Sequence, residues 1–240
     1  MIPPAIFEFF ASLPRQGPGS DETTAKALAL LGPLPARPRV VDFGCGSGAA
    51  TRVLAERLPD ATVLAVDISA ILLERLRALD PAGRIEARVA SMLEPGEPER
   101  FDLVWSEGAI DAVGVEAALR AWSPQLRPAG VVVFSALVWF EPARAPEAVE
   151  YWAAHHSAMR DEAGVREQVA ALGFRLRFDF RLEPQAWLDY YASIALRCDE
   201  LAGTRDPAMV ELIAELRTEI AMYQRFGDSY GYAFFGLERA

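Results

Sequence analysis

The stretch Val40-Val41-Asp42-Phe43-Gly44-Cys45-Gly46-Ser47-Gly48 runs from an apolar strand into a turn that holds three glycines. Glycine permits positive φ angles and lets a ligand touch the backbone. In a doubly wound sheet this turn lies at the carboxyl ends of the strands, where ligands bind. Asp67 ends the next predicted strand, where a carboxylate can accept hydrogen bonds from both hydroxyls of a ribose. The sequence therefore predicts a ribose-containing ligand at this turn.

The segments around this turn repeat the order strand, loop, helix. Apolar runs predict five strands, at residues 39–43, 62–66, 85–89, 101–105 and 130–136. Periodic apolar positions predict intervening helices at residues 47–58, 69–79 and 115–125. Strands that alternate with helices indicate a parallel sheet covered by helices on both faces.

The rest of the chain departs from this repetition. Residues 146–172 are predicted to be mainly helical, and residues 174–182 and 230–237 to be two further strands. Two amphipathic helices within residues 184–226 form an insertion before the last strand, and their apolar faces suit either a lid or a homodimer interface. We therefore expect an α/β fold with a doubly wound, mostly parallel, seven-stranded sheet.

The division of the chain follows from these segments. We expect one domain in three parts: an N-terminal helical cap (1–34), a cofactor-binding core (35–140), and a region of substrate-side helices, lid and closing strands (141–240). Ser20 is a good N-cap for a helix within the first part, because Asp21 and Glu22 follow it in the first turn.

Composition excludes several classes of function. The net charge of −10, with no basic stripe, argues against nucleic-acid binding. No apolar run is long enough to insert into a membrane, and the apolar N-terminus lacks the basic region of a signal peptide. Cys45 and Cys198 are far apart in the sequence, so we expect free thiols and a cytoplasmic location.

The glycines alone leave two kinds of ligand open. Gly44, Gly46 and Ala49 also satisfy the G-x-G-x-x-(G/A) pattern of dinucleotide sites. Asp42 favours the other reading, because a carboxylate two residues before the first glycine would repel a pyrophosphate and attract a cationic ligand. Asp42 also suits a purely structural role, as a cap of the turn.

Four motifs together resemble the class I S-adenosylmethionine (SAM) dependent methyltransferases. Residues 40–48 resemble their motif I, and Ala65-Val66-Asp67-Ile68-Ser69 resembles their motif II. Residues 101–107 resemble the fourth-strand motif, and Leu126-Arg127-Pro128-Ala129-Gly130 resembles a turn that normally reads L-(K/R)-P-G-G. The resemblance covers residues 35–140 and is similar to the small-molecule branch that includes quinone-biosynthesis enzymes, in particular a bacterial subgroup of it.

The resemblance implies a Rossmann-like methyltransferase fold, SAM as cofactor and S-adenosylhomocysteine as product. It implies that Gly44, Gly46 and Gly48 line the methionine and ribose side of the cofactor, and that Asp67 holds the ribose. It further implies that Ile68 packs on the adenine, and that Ser91 and Met92 lie near it, with Ser91 at a position where the family often has an acid.

Further candidates complete the predicted site. We expect the backbone around Ser106 to approach the methionine portion of the cofactor, and Arg15 to bind its carboxylate. Glu107 follows the fourth strand and is a candidate general base or substrate anchor; the alternative is an ion pair with a lid arginine. A group of aromatic residues and one acid near or after position 140 are candidates for a substrate pocket, and packing in the core or lid is the alternative. They are Trp139, Glu141, Tyr151, Trp152, Trp187, Tyr190, Tyr191, Tyr230 and Tyr232. Trp139 and Tyr191 are favoured.

The predicted activity is transfer of a methyl group from SAM to an O, N or C atom of a small-molecule acceptor. No cluster of residues has the spacing of a metal site, and the adjacent His155 and His156 point about 100° apart on a helix. The alternatives are an NAD-dependent oxidoreductase, which the dinucleotide-like glycines support, and a SAM-binding module without catalysis. We expect the chain to act on small molecules, with a homodimer left open.

Overall fold

Seven strands share one sheet in the computed structural model, which describes residues 4–94, 96–140, 144–156 and 159–240. The strands are β1 Arg39–Phe43, β2 Thr62–Asp67, β3 Ile85–Val89, β4 Phe101–Ser106, β5 Leu126–Trp139, β6 Phe174–Arg181 and β7 Tyr230–Arg239.

Nine α-helices occur within the same described ranges. They are α1 Pro4–Ala11, α2 Asp21–Leu30, α3 Ala49–Arg57, α4 Ala70–Leu79, α5 Val115–Trp122, α6 Pro146–His155, α7 Glu162–Ala171, α8 Pro184–Glu200 and α9 Pro207–Phe226. Short 3-10 turns follow β4 at Ile110–Ala112 and α5 at Ser123–Gln125. Ser20 caps α2 as predicted, because its side chain accepts a hydrogen bond from the N–H of Thr23 at 3.1 Å.

The strand order is β3-β2-β1-β4-β5-β7-β6. The strands from β3 to β5 are parallel, whereas β7 is antiparallel to both β5 and β6. The direction of winding reverses between β1 and β4, and this switch point creates a crevice at the carboxyl ends of the strands. The predicted doubly wound, mostly parallel, seven-stranded α/β fold is confirmed.

Alternating strand residues divide the core between the two faces of the sheet. On one face Val40 and Leu103 belong to an apolar cluster with residues of α2, α3, α4, α8 and α9. On the other face Val41 and Val104 belong to a second cluster with residues of α5 and α7. The insertion α8–α9 therefore packs on the same face as α3 and α4, the helices that follow β1 and β2.

One strand extends beyond its predicted bounds, and the segment that was predicted to be mainly helical contains a break. Strand β5 was predicted at 130–136 but extends four residues earlier and three later, because Val138 and Trp139 continue to pair with β7. The predicted helical segment 146–172 is two helices. Its break has a physical cause: the carbonyl of Arg160 accepts from the N–H of Trp139 at 2.9 Å, so the chain there extends along β5.

Two further features concern the environment of the chain. None of the helices in the described ranges has the length and apolar content needed to cross a membrane. Cys45 and Cys198 are both buried free thiols, as their separation in the sequence predicts.

Candidate functional site

The loop between β1 and α3 requires glycine at two positions. Gly44 and Gly46 have φ angles of 69° and 56°, in the left-handed region that other residues rarely adopt. A Cβ at Gly44 would lie 2.3 Å from the Cβ of Ala109, and one at Gly46 would lie 2.6 Å from Oε1 of Gln16. This glycine loop therefore brings three segments of backbone closer together than side chains would allow.

Asp67 lies at the end of β2, beside the glycine loop. Its Oδ2 accepts a hydrogen bond from the N–H of Gly46 at 2.9 Å, and its Oδ1 accepts one from the N–H of Ser69 at 2.8 Å. Burial raises the pKa of Asp67, and the hydrogen bonds from Ser69 and Gly46 oppose that rise. The next residue, Ile68, leaves 61% of its surface exposed, so its apolar side chain is available to pack against a ligand.

Asp42 is fully buried on β1 and faces α3. It accepts a hydrogen bond from Oγ1 of Thr51 at 2.6 Å. Burial raises the pKa of Asp42 to about 8, the Thr51 bond lowers it, and the nearby carboxylates of Glu107 and Asp67 raise it further. The residue thus has both a structural partner and a place in the wall of the cleft beside the glycine loop.

A short N-terminal strap, residues 15–18, covers the glycine loop. Its Gln16 accepts a hydrogen bond from the N–H of Ser47 through Oε1 at 2.8 Å and donates to the carbonyl of Phe10 at 2.9 Å. The carbonyl of Gln16 in turn accepts from the hydroxyl of Tyr190 on α8 at 3.1 Å. One residue therefore connects α1, the glycine loop and the inserted helices.

Glu107 is buried just beyond β4 and faces the strap. Its Oε1 accepts a hydrogen bond from Nε1 of Trp105 at 2.8 Å, and its Oε2 lies 3.7 Å from a guanidinium nitrogen of Arg15. Burial raises the pKa of Glu107, and the positive charge of Arg15 opposes that rise. Arg15 also pairs with Asp21 at 3.1 Å. The arginine beside Glu107 thus belongs to the strap and not to the lid, where the sequence analysis placed the alternative partner.

These groups line an open cleft at the carboxyl ends of β1 and β4. Its walls are the strap, the glycine loop, the start of α3 and the segment after β4, and they include Arg15, Gln16, Asp42, Gly44, Gly46, Glu107 and Gly108. The left-handed glycines and the carboxylate of Asp67 at the next strand end fit a ligand that carries a ribose.

Other predicted residues lie around the cleft or away from it. The terminal methyl of Met92 would lie 3.0 Å from a Cβ at Gly44, and Oγ of Ser91 accepts from the N–H of Leu93 at 3.1 Å. Ser106 is buried, and its hydroxyl has no hydrogen-bond partner among the described residues. Gly48 is the N-cap of α3, and a Cβ there would lie 2.5 Å from the side chain of Leu76 on α4.

The two favoured substrate candidates lie farther into the protein. Trp139 is buried at the end of β5, where it packs edge-on against Tyr230 and under the guanidinium of Arg144. Tyr191 is buried on α8, and its hydroxyl donates to Oε1 of Glu219 on α9 at 2.8 Å. Neither residue lines the cleft itself. Glu141, another candidate, lies outside the described residues.

Sequence reasoning missed two residues of this region. Gln16 was treated only as part of a loop, because nothing in its neighbourhood shows which backbone it contacts. Glu219 carried a readable signal: on α9 it interrupts the apolar positions Leu212, Leu216 and Tyr223 at helical spacing, so it turns toward the protein.

The histidines and acids do not form a metal site. His155 is exposed and stacks on Tyr151, with ring centroids 4.2 Å apart, while His156 is half-buried and burial lowers its pKa. No group of three His, Cys, Asp or Glu side chains in the described part of the chain is arranged to hold a metal ion.

Comparisons with known proteins agree with this geometry. A family model described as a methyltransferase domain matches residues 40–130. The trans-aconitate 2-methyltransferase of Paracidovorax citrulli is 30% identical over 220 residues, which cover 85% of this chain and 84% of that protein. The dimethylglycine N-methyltransferase of Parasynechococcus marenigrum is 38% identical over 117 residues, or 48% of this chain and 43% of that protein.

Solved structures show the same fold. A SAM-dependent methyltransferase from Geobacter sulfurreducens, in complex with S-adenosylhomocysteine, has a TM-score of 0.85 at 19% identity and covers 100% of this chain and 99% of its own. A SAM-dependent methyltransferase from Thiobacillus denitrificans, also in complex with S-adenosylhomocysteine, has a TM-score of 0.82 at 21% identity, with coverage of 100% and 99%. The relatives described here do not specify a quinone-biosynthesis branch.

Proposed function

The chain belongs to the class I SAM-dependent methyltransferases, and from that premise we propose that it holds SAM between the glycine loop and the strap and methylates a small molecule on the side of α8 and α9. SAM supplies an electrophilic methyl group on a sulfonium and is the cofactor of this enzyme family. The observation that carries the placement is the left-handed glycine loop next to the carboxylate of Asp67.

Asp67 has the capacity to hold the ribose. A carboxylate offers about four acceptor sites on its two oxygens. Two of them accept from the N–H groups of Gly46 and Ser69, so acceptor capacity remains on each oxygen for a hydroxyl group. The exposed side chain of Ile68 follows directly and supports its proposed contact with the adenine. We assign Ser91 and Met92 to the same end of the cofactor.

The charged groups of the cleft suit the methionine end of SAM. The buried carboxylate of Glu107 favours an ammonium or a sulfonium, while the guanidinium of Arg15 suits a carboxylate. Asp42, which keeps its proton up to a pH of about 8, offers the ligand a neutral hydrogen-bonding group in the cleft wall. In line with this, we assign Arg15 to the carboxylate, and the backbone around Ser106 to the methionine chain. Glu107 is proposed either as a general base or as an anchor for the acceptor, held in place by Trp105.

The acceptor is proposed to reach the methyl group from the side that Tyr190, Tyr191 and Trp139 occupy. SAM bound there would supply its methyl group to the nucleophilic atom of the acceptor, with S-adenosylhomocysteine as the other product. A proton on that atom would pass to Glu107, if it acts as the general base, or to solvent. Positioning of the two reactants and exclusion of water by the strap and the inserted helices account for much of the expected rate. An NAD-dependent oxidoreductase is not favoured, since the relative that aligns over most of this chain is a methyltransferase.

Calorimetry with SAM and S-adenosylhomocysteine tests this placement. We expect wild type to bind both, Asp67→Ala to lose at least about tenfold in affinity, equivalent to about 1.4 kcal/mol, and Asp67→Asn to lose less. The exposed Asp60→Ala is the control. Wild-type binding that Asp67→Ala leaves unchanged would sink the proposed ribose contact. Binding of NADH without SAM would restore the oxidoreductase reading.

Two finer expectations join this proposal. We propose a cytoplasmic location, which the buried free thiols of Cys45 and Cys198 support.

We also propose that the protein forms a homodimer through the outer faces of α8 and α9, where Leu188, Leu196 and Val210 are half exposed or more. Light scattering after size exclusion tests this: Leu196→Lys should give a monomer, and a monomeric wild type would refute the homodimer.

A further inference from the structure

A carboxylate on α9 lies within electrostatic range of five tyrosine hydroxyls. The carboxylate is Glu219, and the hydroxyls belong to Tyr151, Tyr190, Tyr191, Tyr230 and Tyr232, a group that we call the tyrosine box. The residues come from α6, α8 and β7 and are brought together only by the fold. The ring centroids of Tyr190 and Tyr191 are 5.5 Å apart, and those of Tyr151 and the neighbouring Trp152 are 5.1 Å apart.

Glu219 has little positive charge to balance it. In the part of the chain that the structure describes, its hydrogen-bond partner is the hydroxyl of Tyr191, at 2.8 Å, and no lysine or arginine pairs with it. The positively ionisable group that reaches it is His155. Keeping a half-buried carboxylate ionised without a cation nearby costs free energy, because the charge is partly removed from water. This position therefore favours a ligand that brings a positive charge.

The tyrosine box adjoins the cofactor cleft. The hydroxyl of Tyr190 donates to the carbonyl of Gln16, which belongs to the strap. The ring of Tyr232 lies 3.7 Å from the position of a Cβ at Gly108, another residue of the cleft wall. Tyr151, Tyr190 and Glu219 each keep part of their surface exposed, whereas Tyr191, Tyr230 and Tyr232 are buried.

We propose that Glu219 and the tyrosine box bind a positively charged amine or ammonium group of the methyl acceptor. Aromatic faces attract cations, and the carboxylate adds a direct charge partner. The same carboxylate, together with buried Glu107 and the carboxyl of Asp111 near Tyr232, disfavours an acceptor with several carboxylates. The acceptor class therefore differs from the tricarboxylate that the name of the Paracidovorax relative indicates. This inference rests on the proposed position of SAM and of the acceptor.

The test uses the protein saturated with S-adenosylhomocysteine and three probes. Calorimetry compares choline with its uncharged isostere 3,3-dimethyl-1-butanol and with trans-aconitate. We expect choline to bind at least about tenfold more tightly than the isostere, which is about 1.4 kcal/mol, and more tightly than trans-aconitate. No preference for choline over its isostere, or tighter binding of trans-aconitate, overturns the inference.

Two variants separate a cation site from a mere contact between the helices. Glu219→Gln removes the charge, whereas Tyr191→Phe removes the same hydrogen bond and keeps the charge. We expect Glu219→Gln to abolish the preference for choline and Tyr191→Phe to retain it, with both variants binding S-adenosylhomocysteine like wild type. Equal loss of preference in both variants assigns the pair a structural role and refutes the proposal. Failure of wild type to bind S-adenosylhomocysteine would instead refute the proposed cofactor site.

Discussion

At the scale of a single residue, a comparison of Gly44 with Gly83 distinguishes two reasons for a glycine: a positive φ angle, and a lack of space for a Cβ. Both have positive φ, 69° and 62°, but a Cβ at Gly83 would meet nothing within 4 Å, whereas one at Gly44 would press on Ala109. We expect Gly83→Ala to cost about 1–2 kcal/mol through backbone strain alone. Gly44→Ala should cost about 1–3 kcal/mol more, because the overpacked loop must move. Denaturant unfolding measures both, and equal losses would contradict the close approach of the two loops.

Asp42 gives the stability of the folded chain a dependence on pH. Its pKa is 3.8 for an ordinary aspartate and about 8 in the fold. Between these values the folded state retains a proton that the unfolded state has lost, so this residue makes stability fall as pH rises from about 4 to 8. Asp42→Asn cannot ionise, and its amide oxygen still accepts from Thr51. We expect the variant to lose less stability than wild type between pH 5.5 and 8.5.

Thermal unfolding of both proteins across that range measures the effect. One kcal/mol corresponds to about 2–4 °C in a chain of this size. The Tm of Asp42→Asn minus the Tm of wild type should therefore rise by several degrees from pH 5.5 to pH 8.5. The exposed Asp60→Asn serves as the matched control and should follow wild type. Parallel curves for wild type and Asp42→Asn would show that Asp42 does not hold its proton in the fold.

At the scale of elements, the strap acts as a closing segment because Gln16 ties it to the glycine loop. Ligand binding should order both segments, so we expect S-adenosylhomocysteine to slow hydrogen exchange in residues 5–20 and 43–50, and not in the distant helix α7. Gln16→Ala should lose the protection of residues 5–20 and keep that of 43–50, since it removes the bonds to Ser47 and Phe10. Gln224→Ala, on an exposed part of α9, is the control. Protection of residues 5–20 that survives Gln16→Ala would disprove the link.

The elements also show which features the sequence could predict. Strands β1 and β3 have the predicted bounds; Gly44 follows β1 directly, and Gly83 lies shortly before β3. The extension of β5 and the break before α7 depend on pairing with β7 and Arg160, which are distant in sequence. Asp42 and Glu107 were recognisable beside their motifs, whereas Gln16 and the Tyr191–Glu219 pair required the arrangement of α8 and α9. The proposed cofactor side therefore follows from local patterns, whereas the proposed acceptor side depends on packing between elements that are distant in sequence.

At the scale of the whole molecule, the net charge of −10 should distinguish the two forms of the cofactor. SAM carries one positive charge more than S-adenosylhomocysteine, so the field of the protein favours SAM. Salt screens this field, since the Debye length falls from about 30 Å at 0.01 M to about 8 Å at 0.15 M. The buried carboxylate of Glu107 is screened much less than surface charges. The salt-dependent part of the preference must then come from the surface.

We expect calorimetry to show that raising the salt from 0.01 to 0.15 M weakens SAM binding about two- to threefold more than S-adenosylhomocysteine binding. The double variant Glu56→Lys/Asp60→Lys changes the net charge from −10 to −6, since each substitution adds two positive charges, at exposed positions away from the cleft. It should weaken SAM binding at low salt and match wild type at 0.15 M. If both ligands respond equally to salt, the preference for SAM arises entirely from the buried groups, and the acidic surface has no part in the exchange of product for cofactor.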